Sequence, residues 1–252
     1  MSTDPSSSPE IAPEVSNLPV VDAIHSNSAE VLVAVASDRS LNEDLALTLL
    51  KRTDLPGGAL ERLSQNASVM KSRKIKLALV EHPKTPRHVS LPMLRHLFTL
   101  DLMRVALTPV VPADVKAVAD EALCNRIETI PSGERLTLAN RASGRVAAEL
   151  LSDPESRVIH AALQNSRLTE ANVVKAVMAS DASAVLVEAV CHHAKWSLRR
   201  EVRIGLLRTQ HTPLARALEF ARSLPAALLK EILHSSRLPM NIKEHLLKSL
   251  NS

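Results

Sequence analysis

The segment CHHAKWSLRREVR, residues 191–203, has the sequence's most unusual combination of side chains that could do chemistry. It combines two histidines and the chain's single tryptophan with several basic residues. On a helix, Arg199 and Arg203 would lie on one face, because residues four apart are neighbours there. Trp196 would offer a ring on which a nucleic-acid base could stack. This pattern predicts an anion- or partner-binding surface formed by Lys195, Trp196, Arg199, Arg200 and Arg203.

A second basic pair, Arg141 and Arg145, is a further candidate for binding an anion or a partner. Both groups also have a plain structural interpretation, which the sequence alone favours. In that interpretation Trp196 fills a gap between helices. The arginines then pair with acids such as Glu201 or remain solvated, as charged runs on protein surfaces usually do.

Metal binding and catalysis find little support in the residue pattern. His192 and His193 are adjacent, so on a helix they point about 100° apart and cannot easily ligate one metal ion. Cys124 and Cys191 are far apart and form neither a metal-type pair nor a disulfide framework. The sequence has no Ser/His/Asp order, no glycine-rich phosphate loop and no H-E-x-x-H motif. We therefore expect no catalytic residue, no metal, no cofactor and no enzyme activity.

The composition favours a fold made only of helices. The hydrophobic share is 45%, the aromatic share is 1% and there are only 5 glycines, which is unlike a β-sandwich or barrel. Alanine and leucine are strong helix formers. No window approaches 18 uninterrupted apolar residues, so we expect no membrane span. The first residues lack the pattern of a secretory signal, and we expect a cytoplasmic protein.

Charge is segregated along the chain. The first 38 residues contain six acidic groups and no lysine or arginine, while the rest carries 31 basic and 21 acidic groups, a net charge of +10. Residues 1–27 also contain four prolines and many serines. Such a segment cannot bury enough apolar surface to offset the entropy of ordering. We therefore predict a disordered acidic tail at 1–27 and a basic helical repeat domain at 28–252.

Prolines recur at a regular spacing within that domain. Pro86 and Pro112 lie 26 residues apart, and so do Pro213 and Pro239. A period of this size is typical of solenoid proteins. About sixteen short helices follow from the apolar spacing. They predict an all-α, right-handed α-solenoid of about seven or eight helix pairs, some with 3₁₀ turns.

The details of the repeat lead to three more expectations. Thr85, Asp153 and Thr212 each precede a proline and are expected to cap the helix that follows. Pro92 predicts a short 3₁₀ turn before a main helix. The repeat is least regular at 125–151, where the proline marker is lost and two glycines occur. A bend or a soft domain boundary is expected there.

Three corner segments carry a family resemblance. SDPESRVIHAALQNSRLTEANVVKAV (152–177) resembles the leucine-rich repeat variant pattern, and IKLALVEHPKTP (75–86) and RIGLLRTQHTP (203–213) are similar at the same corner. These repeats belong to the wider α-solenoid group with HEAT and armadillo repeats. The archetypal variant protein also has a cysteine-rich iron–sulfur segment, which two distant cysteines cannot supply. The resemblance implies a solenoid and a general binding habit, and no reaction.

The favoured function is therefore a non-enzymatic binding or scaffolding protein whose solenoid surface engages a protein partner. The alternative is binding of nucleic acid, or another polyanion, through a basic face. DNA glycosylases with HEAT-like repeats are a poor match, because they need aromatic residues around a catalytic acid and this chain has too few. A continuous basic groove would favour nucleic acid, and a mixed or apolar groove would favour protein.

Overall fold

The structure, a computed structural model, describes residues 20–250, with side chains to residue 248. These residues contain seventeen α-helices and no strand, which confirms the predicted all-α class. The chain divides into two compact units. Unit 1 runs to Leu97 and includes Val110–Pro112, and unit 2 comprises Phe98–Pro109 and the residues from Ala113 onward. The segment 125–151, where a bend or boundary was expected, lies wholly within unit 2.

The predicted tail falls mostly outside the described residues. Residues 1–19 are outside them, whereas 20–27 contain a short helix, and Ala23 and Ile24 are buried. The described fold therefore begins at Val20, eight residues before the predicted start of the repeat domain.

Unit 1 contains six α-helices that pack chiefly on the helix two places along. They are α1 (Val20–Ala23), α2 (Ala29–Ser37), α3 (Glu43–Leu50), α4 (Gly57–Gln65), α5 (Arg73–Glu81) and α6 (Arg87–Leu94). Helix α2 contacts α4, and α3 contacts α5. Their apolar sides meet in a core of leucine, valine, isoleucine and alanine without any aromatic ring. The core of this unit is therefore filled by aliphatic side chains alone.

Unit 2 contains eleven α-helices with the same packing rule. They are α7 (Thr99–Leu107), α8 (Ala113–Cys124), α9 (Ser132–Arg141), α10 (Gly144–Glu149), α11 (Ser156–Gln164), α12 (Glu170–Met178), α13 (Ala184–His192), α14 (Arg200–Arg208), α15 (Leu214–Arg222), α16 (Ala226–Ser235) and α17 (Met240–Leu250). Two 3₁₀ turns, Leu150–Ser152 and Trp196–Leu198, follow α10 and precede α14. Contacts run from α8 to α10, α12, α14 and α16 in turn, and from α7 through α9 and α11 to α13. Helices α15 and α17 also pack together.

Proline and polar residues mark where many of the helices begin. Prolines stand at the N-cap of five helices, where their fixed φ and missing N–H cost nothing; they are Pro56, Pro86, Pro131, Pro213 and Pro225. Pro131 belongs to this set, so the proline marker is present in the irregular segment after all. Five other helices, α3, α5, α10, α12 and α13, start at a polar residue whose side chain accepts a backbone N–H of the first turn. Thr169, for example, forms a reciprocal capping box with Asn172 at the start of α12.

Two of the detailed expectations were wrong. Thr85, Thr212 and Asp153 do not cap the helix that follows, because the N-caps are Pro86, Pro213 and Glu155. Each threonine hydroxyl instead donates a 2.6 Å hydrogen bond back to a carbonyl oxygen six residues earlier. Both hydroxyls therefore close the end of the preceding helix. Pro92 forms no separate 3₁₀ turn and lies inside α6.

The corners between helices share a side-chain device that the sequence reasoning did not foresee. A polar residue at the end of one helical segment accepts the backbone N–H of the residue two positions later, as in an Asx turn. The residues that do so are Asp38, Asn66, His82, Asp153, Asn165, His193 and Ser236. This bond turns the chain sharply and satisfies a corner amide that would otherwise lack a partner.

Some of these residues also tie one corner to the corner before it. The buried Asn165 donates from Nδ2 to the carbonyl oxygens of Ala139 and Ala142, at 2.9 and 3.1 Å. Asn66 does the same toward Ala36 and Asp38 in unit 1, at 3.0 and 2.8 Å. These bonds join residues 23–30 positions apart, so they hold each helix pair to the preceding one.

The longest helix that lies entirely in the described residues, Ala113–Cys124, has 12 residues. A bilayer span needs about 20 apolar residues. No helix in residues 20–250 meets the length and hydropathy needed to cross a membrane.

Candidate functional site

The segment 191–203 folds differently from the single helical face expected of it. Helix α13 ends at His192, the 3₁₀ turn Trp196–Leu198 follows, and α14 begins only at Arg200. Arg203 is half-buried: its Nε donates to the carbonyl oxygen of Ser197 at 2.7 Å. Arg199 is exposed before the helix starts, so the two arginines do not form a shared exposed pair.

Trp196 is a core residue. Its side chain is 1% exposed, and its indole Nε1 donates a 2.9 Å hydrogen bond to the carbonyl oxygen of Leu163. Lys195 covers the ring, with Nζ 3.9 Å from the ring centroid. The ring therefore has no free face for a base, and the predicted stacking role is not open to it in this conformation.

The burial of Trp196 also explains why this corner departs from the repeat pattern. At the corner 28 residues earlier, Asn165 binds the preceding corner. His193 occupies the equivalent position, but its buried Nε2 has no hydrogen-bond partner among the described residues. The indole of Trp196 makes the backward bond instead, to Leu163. Trp196, the unusual residue of the sequence, therefore marks a corner where an indole replaces the asparagine amide as the donor to the preceding repeat.

The exposed part of this segment is a small basic patch around one apolar side chain. Lys195, Arg199 and Arg200 are exposed, and Leu198 between them is 69% exposed. Among residues 20–250, the side chains of Arg199 and Arg200 make no hydrogen bond or ion pair, so neither pairs with Glu201. This patch can attract an anionic group, although the ring expected within it is absent from the surface.

Of the second predicted basic pair, only Arg145 lines a groove. The groove lies between α10 and α12, has a volume of about 570 Å³ and is open to solvent. Arg141 contributes indirectly: its carbonyl oxygen accepts a 3.3 Å hydrogen bond from Nη1 of Arg167. The lining side chains are Arg145, Ala148, Glu149, Ser152, Arg167, Thr169, Asn172, Lys175, Ala176 and Ala179.

The α10/α12 groove is mixed in character. Arg145, Arg167 and Lys175 supply three exposed positive charges, and Glu149 supplies one negative charge. Burial raises the pKa of Asp120, on α8, against the opposing effects of a hydrogen bond from Ser143 and the nearby charge of Arg145. The remaining lining residues are alanines and small polar side chains.

Gly144 sets how closely the next corner can approach this groove. A Cβ atom at Gly144 would lie well inside van der Waals distance of the Arg167 carbonyl oxygen and 3.2 Å from its carbonyl carbon. Only a residue without a side chain permits this approach. Gly144 therefore allows Arg167 and the N-terminus of α12 to sit directly beside α10.

The adjacent histidines open onto a separate cavity of about 420 Å³ together with His160 and Lys195. Nδ1 of His192 lies 2.9 Å from the carbonyl oxygen of Glu188, so a helix carbonyl holds that ring. Burial and the nearby charges of Lys195 and His160 lower the pKa of His193. Within the described part of the chain, no three histidine, cysteine or acidic side chains come together in an arrangement that could hold a metal ion.

A buried ion-pair network borders a third cavity, near Cys124. Arg135 lies 2.8 Å from the Asp153 carboxylate, which is 1% exposed, and 2.7 Å from Glu155. Hydrogen bonds from Ser132 and Arg157 lower the pKa of Glu155. Burial raises the pKa of the Cys124 thiol. The network ties the start of α9 to the start of α11, so we interpret it as structural.

Sequence reasoning missed most of the groove. Arg167, Asn172 and Lys175 are single residues on a corner and a helix, and no motif distinguishes them from other surface residues. Asn165, in the corner sequence QNSRLT, marks the turn between two helices and could have been identified from the sequence as a corner residue. The sequence does not show that α10 packs against this corner; only the fold does.

No protein-family model, curated protein or solved structure matches this chain. The resemblance of its corners to the leucine-rich repeat variant pattern stays a prediction.

Proposed function

We propose that this chain is a non-enzymatic binding protein whose helical-repeat surface engages a partner protein. The observation that carries the proposal is the mixed lining of the α10/α12 groove. It combines three cations, one carboxylate, small polar groups and a floor of alanine side chains. Protein surfaces present similar mixtures of charge, amide and apolar groups, whereas nucleic-acid grooves are usually dominated by positive charge.

The architecture supports this proposal, because helical repeats present extended surfaces to partners. Helices α10, α12, α14 and α16 begin at residues 144, 170, 200 and 226, and each packs on the next in that series. The intervals of 26–30 residues agree with the spacing of the prolines. We propose that each unit is a stretch of right-handed α-solenoid related to the leucine-rich repeat variant and HEAT-like repeats.

Polyanion binding is the second candidate, and one observation favours it. Three exposed basic residues lie close together in the sequence: Lys195, Arg199 and Arg200. Neither arginine side chain has a hydrogen-bond or ion-pair partner among the described residues. Such groups can neutralise phosphates and release counterions. The burial of Trp196 weighs against this candidate, because a sequence-tolerant single-strand site uses exposed aromatic rings.

The test is to purify the full tagged chain with its bound material, with and without nuclease treatment, and to identify cross-linked partners by mass spectrometry. The partner is then produced separately and titrated calorimetrically against the chain in a series of salt concentrations. We expect a stoichiometric protein complex that survives nuclease and weakens only modestly with salt.

Two results would count against the proposal. A chain that retains only nucleic acid, with affinity falling steeply as salt rises, would support the polyanion candidate instead. A chain for which no purified protein gives measurable binding heat would contradict the proposed function.

A further inference from the structure

We infer that the α10/α12 groove binds an extended, acidic segment of the partner protein, with Arg145, Arg167 and Lys175 as its carboxylate-binding residues. This inference rests on the proposed function and adds the place and the chemistry of recognition.

The three cations flank the groove from different elements. Arg145 is on α10, Arg167 is on the corner before α12, and Lys175 is on α12 itself. The side chains of Arg145 and Lys175 make no hydrogen bond or ion pair with any described residue, and the charge of Arg145 acts on nearby Asp120. The hydrogen-bond donors of both side chains can therefore bind a ligand. Arg167 gives one N–H to the carbonyl oxygen of Arg141, at 3.3 Å, and keeps its remaining donors. Carboxylates suit this set, since guanidinium and ammonium groups bind them through charge-assisted hydrogen bonds.

The groove can also recognise a peptide backbone. The carbonyl oxygen of the Asn172 side chain is occupied by Thr169, as part of the capping box. Its amide Nδ2 has no partner among the described residues and can donate to a peptide carbonyl. Glu149, on the α10 side, can accept a peptide N–H. One donor and one acceptor in the same groove are what an extended main chain requires.

The floor of the groove has room for such a chain. Ala148, Ala176 and Ala179 line it with methyl groups, so a peptide backbone can approach the helices closely. A nucleic-acid strand fits this groove less well, because no aromatic ring lines it for base stacking.

The inference is tested by fluorescence anisotropy on the full chain. The probe is a labelled peptide of alternating glutamate and leucine, about ten residues long so that it spans the groove when extended. A second peptide carries glutamine in place of glutamate, and a labelled single-stranded oligoribonucleotide of similar length tests the competing ligand class.

The informative variant is the double substitution Arg145→Gln with Lys175→Gln, since neither side chain holds the fold through a hydrogen bond. Arg222→Gln with Lys230→Gln is the matched control. It removes the same charge from exposed residues of α15 and α16, outside the groove. Unchanged melting temperatures of both variants establish that the fold is intact.

We expect the glutamate peptide to bind the wild-type chain and the groove variant to bind it about tenfold more weakly, a change of about 1.4 kcal/mol. The control variant should bind it within about twofold of wild type, because long-range charge effects are screened by salt. The glutamine peptide should bind at least as weakly to the wild-type chain as the glutamate peptide binds to the groove variant.

Three results would overturn the inference. Equal loss in both variants would mean that only net charge matters. Tighter binding of the oligoribonucleotide than of the glutamate peptide would assign the groove to another ligand class. A purified partner that binds the groove variant with wild-type affinity would place recognition elsewhere, while leaving the proposed function intact.

Discussion

The close approach of Gly144 to the carbonyl group of Arg167, beside the groove, leads to a prediction about the stability of a Gly144 variant. Replacing Gly144 with alanine adds one methyl group where the carbonyl group of Arg167 already stands. The chain offers a matched control at Gly133, which also lies in the first turn of a helix, α9, and whose added Cβ would meet no atom within 4 Å. The two substitutions are chemically identical, so any difference between them measures the packing of the corner against α10.

The expected loss of unfolding free energy follows from how far α10 and the Arg167 corner must move apart. To restore van der Waals contact, α10 and the corner must separate by about 1 Å. That corner is held to the preceding one by two bonds from Asn165 Nδ2, at 2.9 and 3.1 Å, and by the bond from Arg167 Nη1 to the carbonyl oxygen of Arg141, at 3.3 Å. At about 1 kcal/mol net for each weakened bond, the cost is about 3 kcal/mol. The better helix propensity of alanine returns at most about 1 kcal/mol of this.

Urea and thermal unfolding followed by circular dichroism measure both variants. Gly144→Ala should lower the unfolding free energy by about 2–3 kcal/mol, and the melting temperature by roughly 4–12 °C. Gly133→Ala should be neutral or stabilising by up to about 1 kcal/mol. If Gly144→Ala were as stable as wild type, α10 and the corner would not be in the close contact described here, and the placement of Arg167 in the groove would be refuted.

Four further outcomes follow from buried polar and ionisable groups. Asn165→Ala removes three side-chain hydrogen bonds and should cost about 3 kcal/mol in urea unfolding. Asp153→Ala should cost about 3 kcal/mol by leaving Arg135 short of one partner, and adding Arg135→Met should recover part of that loss. Because burial raises the pKa of Asp120, stability is lost as pH rises through that pKa. Asp120→Asn should therefore raise the melting temperature near pH 7 and have no such effect near pH 3. Burial raises the pKa of Cys191 to about 12, so a thiol reagent at about pH 8 should modify Cys191 about a thousandfold more slowly in the folded protein than in urea.

The helices themselves were largely predictable from the sequence. The apolar spacing predicted about sixteen short helices, and residues 20–250 contain seventeen. Prolines also marked helix starts correctly, because a proline N-cap depends only on local backbone geometry. The capping role assigned to Thr85 was wrong: the N-cap of the following helix is Pro86, and the Thr85 hydroxyl donates backward to the Leu79 carbonyl oxygen, which the local pattern does not show.

The candidate site was predictable only in part. The sequence located Arg145 as a basic residue, and the structure places it in the α10/α12 groove. It could not show that Trp196 is buried, since the same ring at the same position could stack outward or bond inward to the carbonyl oxygen of Leu163. That outcome depends on a backbone acceptor 33 residues away, which no local pattern contains.

By itself the sequence determined an all-helical fold with proline-marked corners and a basic surplus beyond residue 38. These properties are local, because helix propensity, capping and formal charge depend on residue type and near neighbours. Only the tertiary structure decided which cations share a groove, which arginines stay free and which ring is buried. The shared groove depends on the approach of α10 to the Arg167 corner, which the missing side chain of Gly144 permits. The burial of Trp196 depends on the distant carbonyl oxygen of Leu163.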